Sequence, residues 1–350
     1  MGGENPLISI IILNYNSGHY LTNCIDSILK TNFKNFEIIV IDNKSTDNSH
    51  IRCKEKYNEI ILIENEKNYG FCEGNNIGIK NARGDYIVIL NPDTEVTVSW
   101  LSELLDAFKK NGEGLYQPKI MKLDKKNEIQ SSGNMIQLFG FGFTRDRDIV
   151  DKNQHKEIEE IGYPSGACLF TSVNVLKKIG MFEPFLFLYH DDLELGWRAS
   201  MMGIRSFLVP KSIIYHAESP NLKWSSSKFF WLERNRKYCI LTHYSKESLK
   251  KMKLSLFLVD LMVWIFYISK GFVKAKINAD AEIRKNRKII EEKRNDLESR
   301  RKIDDGGIIN KFSDKIEVPE GISYDISNKL MNFILVRLSK KIRKEIKQET

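Results

Sequence analysis

The first half of the chain alternates two hydrophobic patterns. Four compact apolar runs, Leu7–Leu13, Phe36–Ile41, Ile60–Ile63 and Tyr86–Leu90, recur at intervals of about 25 residues. Each is short, rich in Ile, Val and Leu and nearly free of alternation, as expected of strands covered on both faces. Between the first two, Leu21, Cys24, Ile25, Ile28 and Leu29 fall at helical spacing within Tyr20–Lys30. Between the last two, Gly74–Ala82 reads as a helix after a glycine-bearing loop. Strands alternating with helices predict right-handed βαβ crossovers, and so an α/β fold around a mostly parallel central sheet flanked by helices. The second half is more mixed. It offers apolar segments at Tyr163–Phe170 and Ser206–Val209, a helix starting near Asp191 and a loop-like aromatic stretch, Phe139–Phe143. No internal repeat or low-complexity tract is present.

Open α/β sheets bind ligands at the carboxyl ends of their strands, and here those ends carry chemistry. Strand one ends in Asn14-Tyr15-Asn16-Ser17-Gly18, strand two in Asp42-Asn43-Lys44-Ser45-Thr46-Asp47. Strand three leads into Asn68-Tyr69-Gly70, and strand four into Asn91-Pro92-Asp93. Tyr15 can cover a base ring, and Asp42 can accept hydrogen bonds from a base or ribose, or simply cap a turn. Gly70 lets backbone approach a phosphate, and Asn76 opens a helix whose N-terminus favours anions. Asp93, on a proline-fixed turn, offers a hard cation an oxygen ligand. A second acidic cluster, Asp191-Asp192-Leu193-Glu194, either supplies a general base or complements a helix dipole.

Charge changes the picture beyond residue 245. The formal net charge is +8, and much of the basic excess lies in Ala281–Lys302 and Lys329–Lys347. Ahead of them, Leu254–Ser269 is apolar except for Asp260 and two serines, with lysines on both sides. It falls short of the roughly 20 apolar residues of a spanning helix, so a core helix, an in-plane interfacial helix and a span all stay open. Ile326, Leu330, Ile334, Leu338, Ile342 and Ile346 repeat every fourth position, as for a helix lying on a bilayer, or packing against the preceding domain or a second subunit in a homodimer. No aromatic-interleaved basic strand or recognition helix points to nucleic acid. The five scattered cysteines form no C-x-x-C pair, so reduced thiols in a cytoplasmic protein without structural zinc are expected. No signal-peptide pattern precedes the first strand. The expected blocks are 1–95 and 96–245, the two halves of the α/β domain, and 246–350, a basic, membrane-associating helical extension.

Taken together, residues 7 to about 245 resemble family 2 glycosyltransferases of the GT-A fold, in particular their rhamnosyltransferase-like branch. The matching segments are Ile10–Gly18, Ile39–Ser49, Asn68–Gly78, Gly84–Thr94, Tyr163–Phe170 and Phe187–Ala199, in the family's order. The resemblance implies a nucleotide-diphospho-sugar donor, Mg2+ or Mn2+, and inversion at the anomeric carbon. It implies that Asp42 reads the base and that Asn14, Tyr15, Asn68, Gly70, Asn76, Asn91, Arg234 and Asn235 surround the donor. Asp93 matches the last aspartate of the metal-binding D-x-D motif, with Asn91 at its first position, and His216 completes the metal site. Asp192 is then the base beside Asp191, with Gly166, Glu194 and Trp197 towards the acceptor. The implied activity is hexose transfer, rhamnose included, to a lipid-linked saccharide in polysaccharide or glycoprotein glycan assembly, on the cytoplasmic face of the membrane. Asn91 in place of an acid keeps a second reading open, a catalytically inactive GT-A domain serving as a membrane-associated scaffold. A sugar-phosphate nucleotidyltransferase would want a longer, basic, Gly-rich loop than Asn14–Gly18.

Overall fold

A computed structural model describes residues 6–217, 225–317 and 325–347. In chain order the elements of the first half are β1 (Ile8–Asn14), α1 (Tyr20–Leu29), β2 (Phe36–Asp42), α2 (Ser49–Lys56), β3 (Ile61–Glu64), α3 (Gly70–Asn81) and β4 (Tyr86–Leu90). Then come β5 (Thr94–Val96), α4 (Trp100–Asn111), β6 (Gly114–Lys122), β7 (Ile129–Ser131), β8 (Asn134–Ile136), β9 (Gly142–Thr144), β10 (Glu159–Ile161), β11 (Cys168–Ser172) and α5 (Val173–Ile179). After α6 (Asp191–Met201) and the long β12 (Arg205–His216) the chain is helical: α7 (Ser226–His243), α8 (Lys246–Ser269), α9 (Val273–Lys285), α10 (Arg287–Arg300), α11 (Asp305–Ile309) and α12 (Asp325–Lys347).

The four apolar runs form the predicted parallel strands. The main sheet runs β10-β12-β6-β11-β4-β1-β2-β3, with β5 paired to β12 and β7 to β6. The strands β4, β1, β2 and β3 are mutually parallel, whereas β11 runs antiparallel between β4 and β6. Ile8, Ile10, Ile11 and Ile12 of β1 are fully buried, because helices cover both faces of a parallel sheet. Leu21, Ile25 and Ile28 of α1 are equally buried, each contributing about 1.5–3 kcal/mol of hydrophobic stabilisation. Register puts Asn14 beside Asp42 and Asp42 beside Glu64, so the polar strand ends form one row.

Three local expectations change. The helix α3 begins at Gly70 rather than Gly74, so Asn76 lies inside it and away from its N-terminus. The run at Ser206–Val209 extends to His216 as one strand, β12, whose register on β6 shifts between Val209 and Ile213, around Pro210. Of the repeat in the last helix, Ile342 and Ile346 are buried, Ile334 and Leu338 are half-buried and Leu330 is exposed, so only the carboxyl end of that stripe is fully packed against protein. Ile326 lies outside the described side chains.

The chain divides into two compact units. The first comprises Met1–Asn134, Thr144–Gly196 and Ile204–Ser219, and holds the sheet; the expected boundary at 95/96 falls inside it. The second comprises Met135–Phe143, Trp197–Gly203 and Pro220–Thr350, so α7 belongs with α8–α12.

Candidate active site

The row at the ends of β1 and β2 is a closed hydrogen-bond knot. The Asn14 amide donates to Asp42 Oδ1 (2.7 Å), Ser45 Oγ (3.0 Å) and Ser49 Oγ (2.9 Å), while Asp42 Oδ2 accepts from the Ser45 N–H (2.9 Å). His50 Nδ1 lies 3.4 Å from Asp42 Oδ1. Asn14 has no exposed surface and Asp42 is only 2% exposed, so both hold the loop in shape, and Tyr15, 53% exposed, stands out from the edge. Asn68 Oδ1 accepts from the Gly70 N–H (2.8 Å) and from the Asn43 amide (3.2 Å), which fixes the entry into α3.

The turn after β4 meets the end of β12. Thr94 of β5 pairs with His216, which places the Asn91-Pro92-Asp93 turn against the histidine. His216 Nε2 lies 3.1 Å from Asp93 Oδ1 and 3.5 Å from the Asn91 amide nitrogen. Its Nδ1 lies 2.8 Å from Gln130 Oε1, on β7. An amide oxygen only accepts, so Gln130 holds a proton on Nδ1, and Nε2 faces the Asp93 carboxylate. A ring nitrogen without its proton beside a carboxylate oxygen would suit a cation. Their separation also matches neighbouring ligands of an octahedral ion, about 3 Å for bonds of about 2.1 Å. Asp93 and His216 therefore fit a divalent ion, with Asn91 beside them as a neutral amide. Nothing in the sequence singles out Gln130.

The acidic pair opens α6 after a strained approach. Phe187, Tyr189 and His190 all have positive φ, and the Leu188 N–H donates to Leu186 O (2.7 Å) across Phe187, a γ-turn. The Phe187 carbonyl accepts the Phe71 N–H (2.6 Å) at the start of α3. Gly70, at φ +76°, is required here: a Cβ would lie 2.5 Å from both Phe187 Cδ2 and Phe187 O. The space foreseen for a phosphate at Gly70 is thus filled by Phe187. Asn76 is buried and bonds the Phe182 backbone in both directions (2.9 and 3.0 Å), tying α3 to the approach instead of binding an anion.

Asp192 is partly exposed, and its oxygens accept the N–H groups of Gly166 (3.1 Å) and Leu193 (2.8 Å). Asp191 beside it is buried. Burial, reinforced by the Asp192 charge, raises the Asp191 carboxyl well above the ordinary range. Burial also raises Asp192, against the backbone N–H groups that favour its charge, giving a more basic carboxylate than a surface aspartate. Gly166 reaches Asp192 through its N–H. Next to it, Ala167 O accepts the Asn91 N–H (3.0 Å), so one dipeptide joins the Asp93 turn to Asp192.

Glu194 and Trp197 are corrected: both have no exposed surface, so neither side chain meets an acceptor. Trp197 packs edge-on against Tyr244 and Phe312 in the second unit. Arg234 and Asn235 are buried in that unit, with Arg234 Nε donating to Asn235 Oδ1 (2.9 Å). The second unit also gathers Glu233, Asp260 and Asp280. Lys276 Nζ contacts all three, at 2.8, 2.6 and 3.0 Å, and Lys237 and Arg236 add charge, so an ammonium holds the place a metal would take. Burial opposes the Glu233 charge, but Arg236, Lys276 and Lys237 outweigh it and hold its carboxyl below the usual range.

Residues 9–180 match the family described as Glycosyl transferase family 2. The chain is 27% identical over 178 residues to the glycosyltransferase GlyG of Streptococcus pneumoniae, covering 50% of this chain and 58% of the relative. It is 25% identical over 204 residues to the low-salt glycan biosynthesis hexosyltransferase Agl10 of Haloferax volcanii, covering 56% and 62%. The match therefore spans about three fifths of either relative. Among solved structures, GalNAc-T7 with UDP, GalNAc and Mn2+ superposes with a TM-score of 0.57 at 18% identity, covering 69% of this chain and 49% of that one. S. aureus TarS 1-349 gives 0.51 at 17% identity, covering 98% and 92%. The fold is the GT-A α/β fold with a C-terminal helical region.

Proposed function

We propose that the protein is an inverting, metal-dependent glycosyltransferase that moves a hexose from a nucleotide-diphospho-sugar to a saccharide. The observation that carries this reading is the Gly166-Ala167 dipeptide, bonded on one side to the Asp192 carboxylate and on the other to the turn bearing Asp93. A base and a cation-ready pair are thereby held in fixed relation. Tyr15 covers the base of the donor, over a loop held by Asn14 and Asp42. Asp93 and His216 would hold a divalent cation, Mg2+ or Mn2+, whose charge would offset that of the departing nucleoside diphosphate. Asp192 takes the proton from the acceptor hydroxyl, its raised basicity suiting it to the task, and Asp191 supports it. The Mn2+ and UDP named with GalNAc-T7, and the glycan biosynthesis role named for Agl10, support the cation, the donor class and a polysaccharide or glycoprotein glycan product.

Rhamnose is one candidate sugar among the hexoses, after the branch that the motifs resemble. The acceptor is a lipid-linked saccharide, met on the cytoplasmic face of the membrane. The test is a panel of UDP-, GDP- and dTDP-sugars with Mn2+. Turnover of one donor that stops in EDTA and in Asp93→Ala supports the reading, whereas full activity in chelator refutes the metal. The amide at Asn91, where the motif has an acid, favours a second reading, an inactive scaffold. Detecting donor hydrolysis or transfer removes it.

A further inference from the structure

We infer that the outer face of α8 docks the protein in-plane onto an anionic lipid surface. This inference rests on the membrane-surface location proposed above and names the surface that produces it. Between Lys253 and Lys270 the only charged residue of α8 is Asp260, and it points inward, paired with Lys237 (2.8 Å) and Lys276 (2.6 Å). The same inner face buries Met252, Val259, Val263 and Tyr267, and Tyr267 Oη donates to Phe229 O (2.8 Å). The helix is long and apolar enough to cross a membrane. Crossing would strip Asp260 and Tyr267 from these partners and leave the Asp260 carboxylate unpaired in hydrocarbon, so the helix stays on the protein.

Its outer face is a different surface. Leu254, Phe257, Leu258, Leu261, Ile265 and Ile268 share one helix face through three- and four-residue spacings (254/257, 254/258, 257/261, 258/261, 261/265, 265/268), with Phe257 64% and Ile265 and Ile268 each 59% exposed. They make a continuous stripe about 20 Å long. Single exposed apolar residues are ordinary, but a contiguous stripe of several hundred Å² marks a docking surface. Charge identifies the occupant. Lys250 and Lys253 are exposed at one end and Lys274 beyond the other, while the stripe itself is free of charge. An apolar band with ammonium groups at its ends matches acyl chains beneath anionic headgroups. A second copy of this chain would bring the same lysines against each other at the ends of the stripe.

The test is flotation of the full chain with vesicles of phosphatidylcholine, with and without 30% phosphatidylglycerol, at low and high salt. Binding is expected to the anionic vesicles, weaker by at least tenfold in Phe257→Gln/Leu261→Gln/Ile265→Gln and in Lys250→Glu/Lys253→Glu. All five side chains are exposed, and circular dichroism checks that the fold is kept. Equal binding by the apolar variant, or no binding by the wild type, overturns the proposal. Self-association of the wild type that the apolar variant abolishes also overturns it, in favour of a homodimer. Donor turnover is measured in parallel: vesicle binding without turnover leaves this proposal standing and defeats the transferase reading instead.

Discussion

Replacing Gln130 with leucine removes one hydrogen bond and, through it, control of a histidine proton. Gln130 Oε1 accepts from His216 Nδ1 at 2.8 Å, and both side chains are largely buried. Leucine keeps the volume but leaves the Nδ1–H facing an apolar group, an unsatisfied donor costing about 1–3 kcal/mol. The imidazole escapes that cost by moving its proton to Nε2, the nitrogen that faces Asp93, or by turning its ring. Either response withdraws the lone pair that a cation would use. The same energy corresponds to roughly 10–100-fold in affinity, the usual effect of losing an outer partner of a metal-binding histidine. Titrating Mn2+ against the wild type and Gln130→Leu, by calorimetry or by the resonance signal of free Mn2+, measures this directly. Gln130→Glu keeps an acceptor and is expected to retain binding. The reasoning is refuted if Gln130→Leu binds Mn2+ as tightly as the wild type while His216→Ala does not.

Gly70→Ala should destabilise the protein by about 2–5 kcal/mol in chemical denaturation, combining a left-handed alanine with overlap on the Phe187 carbonyl, and should lower turnover by shifting the approach to Asp191. Unchanged stability would mean that Phe187 moves aside without cost. Asp191→Asn should melt above the wild type at pH 7, because the raised carboxyl of Asp191 contributes stability only in its protonated form. That contribution is complete below the unfolded carboxyl value, about 3.9, and is lost as pH rises through the higher folded one. The gap in melting temperature should therefore close towards pH 4, and a gap independent of pH would contradict the assignment.

Strand positions were legible because buried parallel strands must be continuous apolar runs, and Tyr86–Leu90 appears with the bounds its sequence suggests. The turn at Asn91-Pro92-Asp93 and the pair Asp191-Asp192 were legible because proline and clustered carboxylates leave few local alternatives. The start of α3 was not. Its N-cap, Tyr69, makes no side-chain cap, and the helix begins where Phe187, more than a hundred residues later, receives the Phe71 N–H. Gln130 was hidden for the same reason: its partner is 86 residues away, and only the pairing of both β7 and β12 with β6 brings them together. The residues misread as ligand contacts share one feature. Glu194, Trp197 and Asn76 sit on helices in or beside motif segments, where helical spacing turns some positions inward and a motif does not say which.

The central claim is that Asp192 performs the proton transfer of a sugar-transfer reaction. Its most direct test is the turnover of the accepted nucleotide sugar by the wild type and by Asp192→Asn, with nucleoside diphosphate affinity measured on the same samples. Asparagine preserves shape and can still accept the Gly166 N–H, but it has no basicity. A fall in kcat of about 100-fold or more with nucleotide affinity unchanged is the predicted result. A variant that turns over normally, or one in which Asp191→Asn causes the larger loss of kcat, would contradict the account.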